Sequence, residues 1–363
     1  MPIHFIDLKR EWHFFEKNFL ESFKKFGRKG IYVLGPEVEK FEKDFANYCS
    51  YKYAVGVSTG LDALEICLRS FGIKEGDEVI TVSNSAVATS LAISNVGATP
   101  IFCDIGEDFL IDPKRIENLI TKKTKCILPV HLFGKICDMK NINQIAKKYG
   151  LVIIEDACQA HGSLFSKESS LNTKAFSFYP TKNLGAIGEG GAIVTNEKRV
   201  SEFASSYRNY GQQGRYNHTI KGINGRIDPL QCLFMSIKLK KLNLFIKKRQ
   251  KIALNYIESL RGCPNLIINN FDKTSSYHLF VIRVTGGLRT ELINFLKEKK
   301  IETLIHYPTL IHNQPCYRNE YKNVSLTISE KFQDEILSLP CNPFLTPEEQ
   351  AEIINKIKTF LSK

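Results

Sequence analysis

From about residue 37 to residue 210, short apolar runs alternate with amphipathic stretches, and this alternation constrains the fold more than any other feature. The runs are Tyr53–Ser58, Glu78–Val82, Pro100–Cys103, Cys126–Val130, Leu151–Glu155, Lys174–Tyr179 and Gly190–Thr195. Several are rich in Val or Ile, as strands buried on both faces should be. Helix-period segments such as Leu61–Phe71 and Asp138–Tyr149 lie between the first five. Strand and helix in alternation predict a mostly parallel sheet covered on both sides. The last two runs follow each other without a helix, so part of the sheet is expected to be antiparallel. From Pro229 to about Leu260, the spacing of Leu230, Leu233, Ile237, Leu242, Phe245 and Ile252 predicts one long helix. Basic residues crowd its other side. Beyond it, Tyr277–Val284 reads as a strand, and Leu288–Lys299 and Pro347–Leu361 read as helices. The expected domain boundary lies in the long helix near residue 240, giving a large domain 1–240 and a small C-terminal domain 241–363.

Composition excludes several classes. A chain of 363 residues with 43% hydrophobic and 24% charged residues is ordinary globular protein, large enough for a sizeable core. No apolar run approaches the roughly 18 residues that a membrane helix needs. The first residues, Met1 to Arg10, meet charge too early for a secretory signal. The ten cysteines include no C-x-x-C pair, so zinc ribbons and dithiol redox sites lack support, and a reducing cytoplasm is the expected setting. Lysine and arginine exceed acidic residues by 50 − 38 = 12, which raises the question of a nucleic-acid partner. Such a reader interleaves aromatics with basic residues or carries a known binding module. Only Phe245 interrupts the basic run near 238–251, so a solvated helix face, and neither a nucleic-acid nor a membrane partner, is expected.

Ligands of open α/β sheets bind at the carboxyl ends of strands. Three of those ends carry polar residues of interest. The run Leu151–Glu155 ends in Glu155-Asp156. A carboxylate there can keep a pyridine nitrogen protonated, but alone it reads as a helix cap. The run around Phe176-Ser177-Phe178 leads to Lys182. A lysine there can form a Schiff base with an aldehyde, but alone it is one lysine among many. The third end, Ser58-Thr59-Gly60-Leu61, is a small polar turn opening a helix, where free N–H groups and the helix dipole favour a phosphate. It carries neither a P-loop nor a dinucleotide fingerprint. Cradle, acid and lysine, each at a strand end and in that order, form the set that pyridoxal 5′-phosphate (PLP) requires.

With these residues in place, the chain resembles the DegT/StrS-type nucleotide-sugar aminotransferases along nearly its whole length. The resemblance is carried by Leu34-Gly35-Pro36-Glu37, Glu155-Asp156-Ala157-Cys158-Gln159-Ala160-His161-Gly162 and Ser177-Phe178-Tyr179-Pro180-Thr181-Lys182-Asn183-Leu184-Gly185. It continues through Arg208-Asn209-Tyr210-Gly211, Gly222-Ile223-Asn224-Gly225-Arg226 and His306-Tyr307-Pro308. It implies the α/β fold of aspartate aminotransferase (PLP fold type I), with a large, mostly parallel seven-stranded sheet domain and a smaller C-terminal α+β domain. Lys182 is then the Schiff-base lysine and proton carrier, and Asp156 the partner of the pyridinium nitrogen. Gln159 lies near the ring hydroxyl, and Ser177 with the backbone of Gly60 and Leu61 holds the phosphate. Asn224 reaches the phosphate of a neighbouring subunit, which implies a homodimer with shared sites. His306, Tyr307, His161 and Arg226 are candidates to line the sugar site, with domain-interface packing the alternative for His306 and Tyr307, and a satisfied histidine behind the site the alternative for His161.

Three positions depart from the family pattern. Ala86 stands where an aromatic ring usually covers the cofactor. Cys158, against the opposite face, replaces a usual Ala, and Leu61 replaces a usual Thr. The form Gln159-Ala160-His161-Gly162 resembles the branch acting at C3 of a dTDP-linked 3-oxo-6-deoxyhexose, whereas C4 enzymes more often carry His at the place of Gln159. The implied reaction passes an amino group from L-glutamate, by way of the pyridoxamine phosphate form, to a nucleotide-linked keto-sugar for surface glycan synthesis. Alternatives are a C4 aminotransferase on a UDP- or GDP-keto-sugar and a PLP-dependent sugar dehydratase. The dehydratases replace the Schiff-base lysine with histidine, which Lys182 argues against.

Overall fold

A computed structural model describes residues 2–362. Helix α1 (Leu8–Lys29) starts where the Asp7 carboxylate accepts the Arg10 N–H at 2.9 Å, and it stops at Gly30 in the left-handed region. Helix α2 (Pro36–Cys49) leads into β1 (Tyr53–Val57) and α3 (Gly60–Ser70). There follow β2 (Glu78–Val82), α4 (Val87–Asn95), β3 (Thr99–Cys103), α5 (Pro113–Ile116), β4 (Thr124–Ile127) and α6 (Met139–Tyr149). Then come β5 (Val152–Asp156), β6 (Thr173–Ser177), β7 (Gly191–Thr195) and α7 (Lys198–Tyr207).

The seven strands form one sheet in the order β1-β7-β6-β5-β4-β2-β3. Only β7 runs against its neighbours; the pairs from β6 to β3 are parallel. The expected antiparallel part is therefore this one strand, which returns directly from β6. Interior strands are buried almost throughout, which is why they read as continuous apolar runs rather than alternating ones.

The predicted single helix over 229–260 is two helices, α8 (Pro229–Leu239) and α9 (Leu242–Leu260). The apolar series itself carries the reason. Ile237 and Leu242 are five positions apart, which breaks the helical period. Helix α8 packs on α1 and α2, whereas α9 packs into the small domain. The basic residues of this stretch are not one solvated face either. Lys238 is buried and pairs with Glu11 of α1, and buried Arg249 donates to the carbonyls of His278 (3.2 Å) and Cys341.

The C-terminal part contains β8 (Leu266–Ile267), β9 (Phe280–Val284), α10 (Arg289–Glu298), α11 (Thr327–Glu335), β10 (Ile336–Leu339) and α12 (Pro347–Leu361). Its antiparallel sheet, β10-β9-β8, shares a separate core with α9, α10 and α12, including Tyr256, Ile282, Leu296, Leu337 and Ile353. Helix α12 opens with a capping box between Thr346 and Glu349, with Pro347 in its first turn. Between the two sheets, the segment before β10 returns to the large domain. Asp104, just past β3, accepts from Ser329 N (2.9 Å) and Ser329 Oγ (2.7 Å), and Phe332 enters the main core. Among the described residues, no helix is long and apolar enough to cross a membrane.

Candidate active site

The register of β7 gathers the site. Gly191 lies opposite Val57 on one side and Ser177 on the other, so the ends of β1 and β6 share an edge. Asp156, at the end of β5, pairs with Ala175 on the same edge. Beyond β1, the Thr59 hydroxyl caps α3 by accepting from Asp62 N at 3.0 Å, while the Ser58 and Thr59 hydroxyls donate to the Asp62 carboxylate. The amides of Gly60 and Leu61, in the first turn, have no partner among the described residues. Ser177 lies directly against this turn. A Cβ on Gly60 would sit 2.5 Å from Ser177 Cβ, and one on Gly191 would sit 2.2 Å from the Thr59 carbonyl oxygen. Both glycines are needed for that approach. The result is a helix N-terminus with unpaired N–H donors and a serine hydroxyl beside it, which is an anion cradle.

Lys182 sits in the tight connection between β6 and β7. Its N–H donates to Tyr179 O at 2.8 Å, and Ala186 N donates to Phe178 O at 2.8 Å. Its Nζ makes no hydrogen bond or ion pair among the described residues. Burial lowers its pKa below the usual 10.5, against the opposing effect of nearby Cys158 and Asp156. An amine in that position spends more of its time as the free base than a surface lysine does. Asp156 is buried, with Oδ2 accepting from Thr89 Oγ1 (2.8 Å) and Oδ1 from Cys158 N (3.1 Å). It does not cap a following helix, the simpler role open to it from sequence.

The remaining candidates divide. Gln159 Oε1 accepts from Phe133 N at 2.8 Å, and its Nε2 donates to Tyr307 Oη at 3.0 Å. The Tyr307 side chain thus reaches the large domain's site, and burial, with Asp156 nearby, raises its pKa. His306 faces the domain interface. Its Nδ1 bonds Ser338 Oγ at 2.9 Å, its ring stacks on Phe5, and burial lowers its pKa to about 4. His161 is buried against Phe176 and Phe178 with neither ring nitrogen bonded, and burial lowers its pKa to about 3. That is a neutral packing ring. Half-buried Cys158 has its thiol pKa raised by burial and, less strongly, by Asp156. Ala86 occupies the N-cap position of α4 and offers no side-chain bond there. Arg226 donates to Asn209 Oδ1 at 2.8 Å and lies over Tyr210. Asn224 is exposed, and its side chain makes no bond to Ser177 or Lys182.

Sequence reasoning missed three contributors. Thr89 and Ser85, on and before α4, supply hydroxyls behind Asp156, and nothing in their spacing announces it. Asn183 bridges the two halves of the site: Nδ2 donates to His161 O (3.2 Å), and Oδ1 faces His278 Nδ1 at 3.4 Å. Its place next to Lys182 was the one available signal.

An anion cradle, an unpaired amine and a carboxylate held by neutral donors fit pyridoxal phosphate at each of its three demanding points. Fold and site together define a PLP-dependent aminotransferase. The sequence matches the DegT/DnrJ/EryC1/StrS aminotransferase family over residues 14–358, and the chain belongs to that family. It is 42% identical over 363 residues, covering 99% of each chain, to the dTDP-3-amino-3,6-dideoxy-alpha-D-galactopyranose transaminase of Aneurinibacillus thermoaerophilus. Among solved structures it is similar to Streptomyces venezuelae DesV in complex with a ketimine intermediate, at a TM-score of 0.96 and 37% identity, covering 100% of this chain and 99% of that one. It is also similar to NtdA of Bacillus subtilis with bound pyridoxamine phosphate, at a TM-score of 0.92 and 33% identity, covering 96% of this chain and 82% of that one.

Proposed function

We propose that this enzyme transfers the amino group of L-glutamate to the C3 keto group of a dTDP-3-oxo-6-deoxyhexose, giving a dTDP-3-amino-3,6-dideoxyhexose for surface glycans. The observation that carries the amino-transfer part is the unpaired Lys182 amine on the same sheet edge as Asp156 and the anion cradle. The choice of C3 is supported by Gln159 within the Gln159-Ala160-His161-Gly162 form and by the activity for which the Aneurinibacillus relative is named.

Bound pyridoxal phosphate supplies an aldehyde that links to amines and a ring that takes up the electron pair of a broken C–H bond. The chain's residues do the rest. Gly60 and Leu61 amides with Ser177 would hold the phosphate, and the Asp156 carboxylate would accept from the ring nitrogen. Lys182, a free base when displaced, takes the proton from the donor's α-carbon and later returns one to the sugar carbon. Gln159, anchored by Phe133 N and donating to Tyr307 Oη, would lie near the ring hydroxyl, and Tyr307 would bring the C-terminal part of the chain to the sugar. His306 and Arg226 complete our proposed sugar contacts; His306, its pKa lowered to about 4 by burial, would act as a neutral ring through shape and hydrogen bonding, whereas His161, enclosed against Phe176 and Phe178, is a packing ring and not one of them. Ala86 and Cys158 would face the ring from its two sides.

The same reading makes the enzyme a homodimer in which Asn224 completes its partner's phosphate site. Its exposed side chain, with no hydrogen bond among the described residues, supports that reading, as do the exposed Tyr32, Val33, Tyr210 and Tyr216. The break between α8 and α9 supports a domain boundary near residue 240. Ten unpaired cysteines support a cytoplasmic setting. The test is product analysis with a panel of dTDP- and UDP-linked 3-keto and 4-keto sugars and glutamate. A 3-amino product from the dTDP-3-oxo substrate is expected. A 4-amino product alone, or a deoxy-sugar without nitrogen, would refute the assignment.

A further inference from the structure

The environment behind Asp156 contains a relay that the reaction described above does not use. Thr89 Oγ1 lies 2.8 Å from Asp156 Oδ2 and 2.9 Å from Ser85 Oγ. All three residues are buried, with Thr89 only 1% exposed. A hydroxyl has one proton to give. Thr89 has to give its proton to the carboxylate, which can only accept. Ser85 must therefore be the donor to Thr89, and the two hydroxyls point one way, from Ser85 through Thr89 to Asp156. Hydrogen bonds aligned in this way strengthen one another in a low-dielectric interior. Cys158 N occupies one site on Oδ1 at 3.1 Å. With about two acceptor sites per carboxylate oxygen, capacity remains for one more donor.

We propose that Thr89, backed by Ser85, is a positioning residue for the cofactor: it fixes the rotation of the Asp156 carboxylate, so that an oxygen of it would stay available to the ring N–H. The proposal rests on the reading of the site as a pyridoxal phosphate site and adds to it the residue that sets the strength of the nitrogen contact. Without the hydroxyl, Oδ2 keeps no partner among the described residues in a buried position, and the carboxylate is free to rotate.

The discriminating measurement is cofactor affinity, not turnover. The full-length apo-protein is titrated with pyridoxal phosphate and with its 1-deaza analogue, in which the ring nitrogen is replaced by C–H. A positioning role acts only through the nitrogen. Thr89→Val should therefore weaken pyridoxal phosphate binding about tenfold, in line with losing a hydrogen bond to a charged group. The analogue should lose less than about twofold, because its contacts elsewhere are independent of this site. Thr89→Ser, which restores the hydroxyl, should bind like the natural protein, and Ser85→Ala should show about a threefold loss for the nitrogen-bearing ligand only. Equal losses for the two ligands, or a Thr89→Ser variant as weak as Thr89→Val, would show a merely structural threonine and overturn the proposal. If Thr89→Val does not fold, Ser85→Ala decides by the same contrast. A natural protein that binds neither ligand saturably sinks the cofactor reading and this proposal together. A natural protein that binds both, with equal losses in the variants, sinks the relay alone.

Discussion

Strand β5 ends in two adjacent carboxylates on opposite faces of the sheet, and each has a lysine near it. On the back, Glu155 is saturated. It accepts from His131 Nε2 (2.7 Å), Ser169 Oγ (2.5 Å), Asn172 Nδ2 (2.7 Å) and Lys174 Nζ (2.8 Å). His131 Nδ1 takes the Cys137 N–H, so Nε2 carries the proton toward the carboxylate. Lys174 is equally enclosed. Its ammonium also donates to Tyr51 Oη and Ser169 O and lies over the rings of Tyr51 and Phe165. On the front, Asp156 has two neutral donors and spare capacity, and Lys182 Nζ has no hydrogen-bond or ion-pair partner among the described residues. Burial lowers the pKa of both lysines, but the consequences differ. A buried ammonium with three acceptors stays charged and holds structure. A buried amine with none is available for chemistry.

The largest effect expected from breaking this contrast is on the front. Lys182→Ala should lower amino transfer from glutamate by at least about a thousandfold, the scale of a lost proton-transfer group. It should leave thermal stability of the apo-protein undiminished, because no native bond is removed. Single-turnover amino transfer and calorimetry on the same sample check both halves. Next comes Lys174→Met on the back, with the reverse signature. Leaving Glu155 buried without its cation should cost about 3–5 kcal/mol in urea unfolding, while turnover of the folded fraction stays within about twofold because Lys174 touches nothing at the site. A turnover loss comparable to that of Lys182→Ala would join the two clusters functionally and end the comparison.

The lysines should also differ in reactivity. In the apo-protein, an amine-acylating probe should label Lys182 with a pH midpoint below the usual 10.5. Lys174, locked by three acceptors, should resist labelling until unfolding. Peptide mass spectrometry across a pH series reads both sites at once.

How much of this was legible in the sequence depends on range. The seven large-sheet strands were readable because burial on both faces forces unbroken apolar runs, and the cradle, Asp156 and Lys182 because each stands where a strand ends. Lys174 and Lys182 are eight positions apart and nothing local separates them. Lys174 falls within β6 with its side chain toward Glu155, whereas Lys182 lies beyond the strand in the turn. Thr89 meets Asp156 across 67 positions, a contact made by packing α4 on the sheet rather than by any motif. The break between α8 and α9 was visible as a missed helical step, but it was overridden by the apolar positions on either side. Helix α11 and strand β10 follow each other without a turn, so neither period had room to show.

The smallest effects concern pH and the outer donors of the back cluster. Burial pushes the Glu155 carboxyl upward, but the charge of Lys174 and the His131 hydrogen bond outweigh it and leave it at about 2, below the usual 4.5. A carboxyl whose folded value is depressed stabilises the fold fully above its unfolded value and loses that contribution as pH falls through its folded value. The stability gap between the natural protein and Glu155→Gln should therefore be constant at neutral pH and narrow as pH falls from 4.5 towards 2. Asn172→Ala removes one neutral donor and leaves Lys174, His131 and Ser169 in place. It should cost only about 1 kcal/mol, the net worth of one hydrogen bond, with no change in that pH window, because the cation that sets it is untouched. Urea titrations at neutral pH and at pH near 3 measure both terms. If Asn172→Ala moved the acid transition as far as Glu155→Gln does, the carboxylate would owe its ionisation to the amide rather than to Lys174, and the back face would be no more closed by charge than the front.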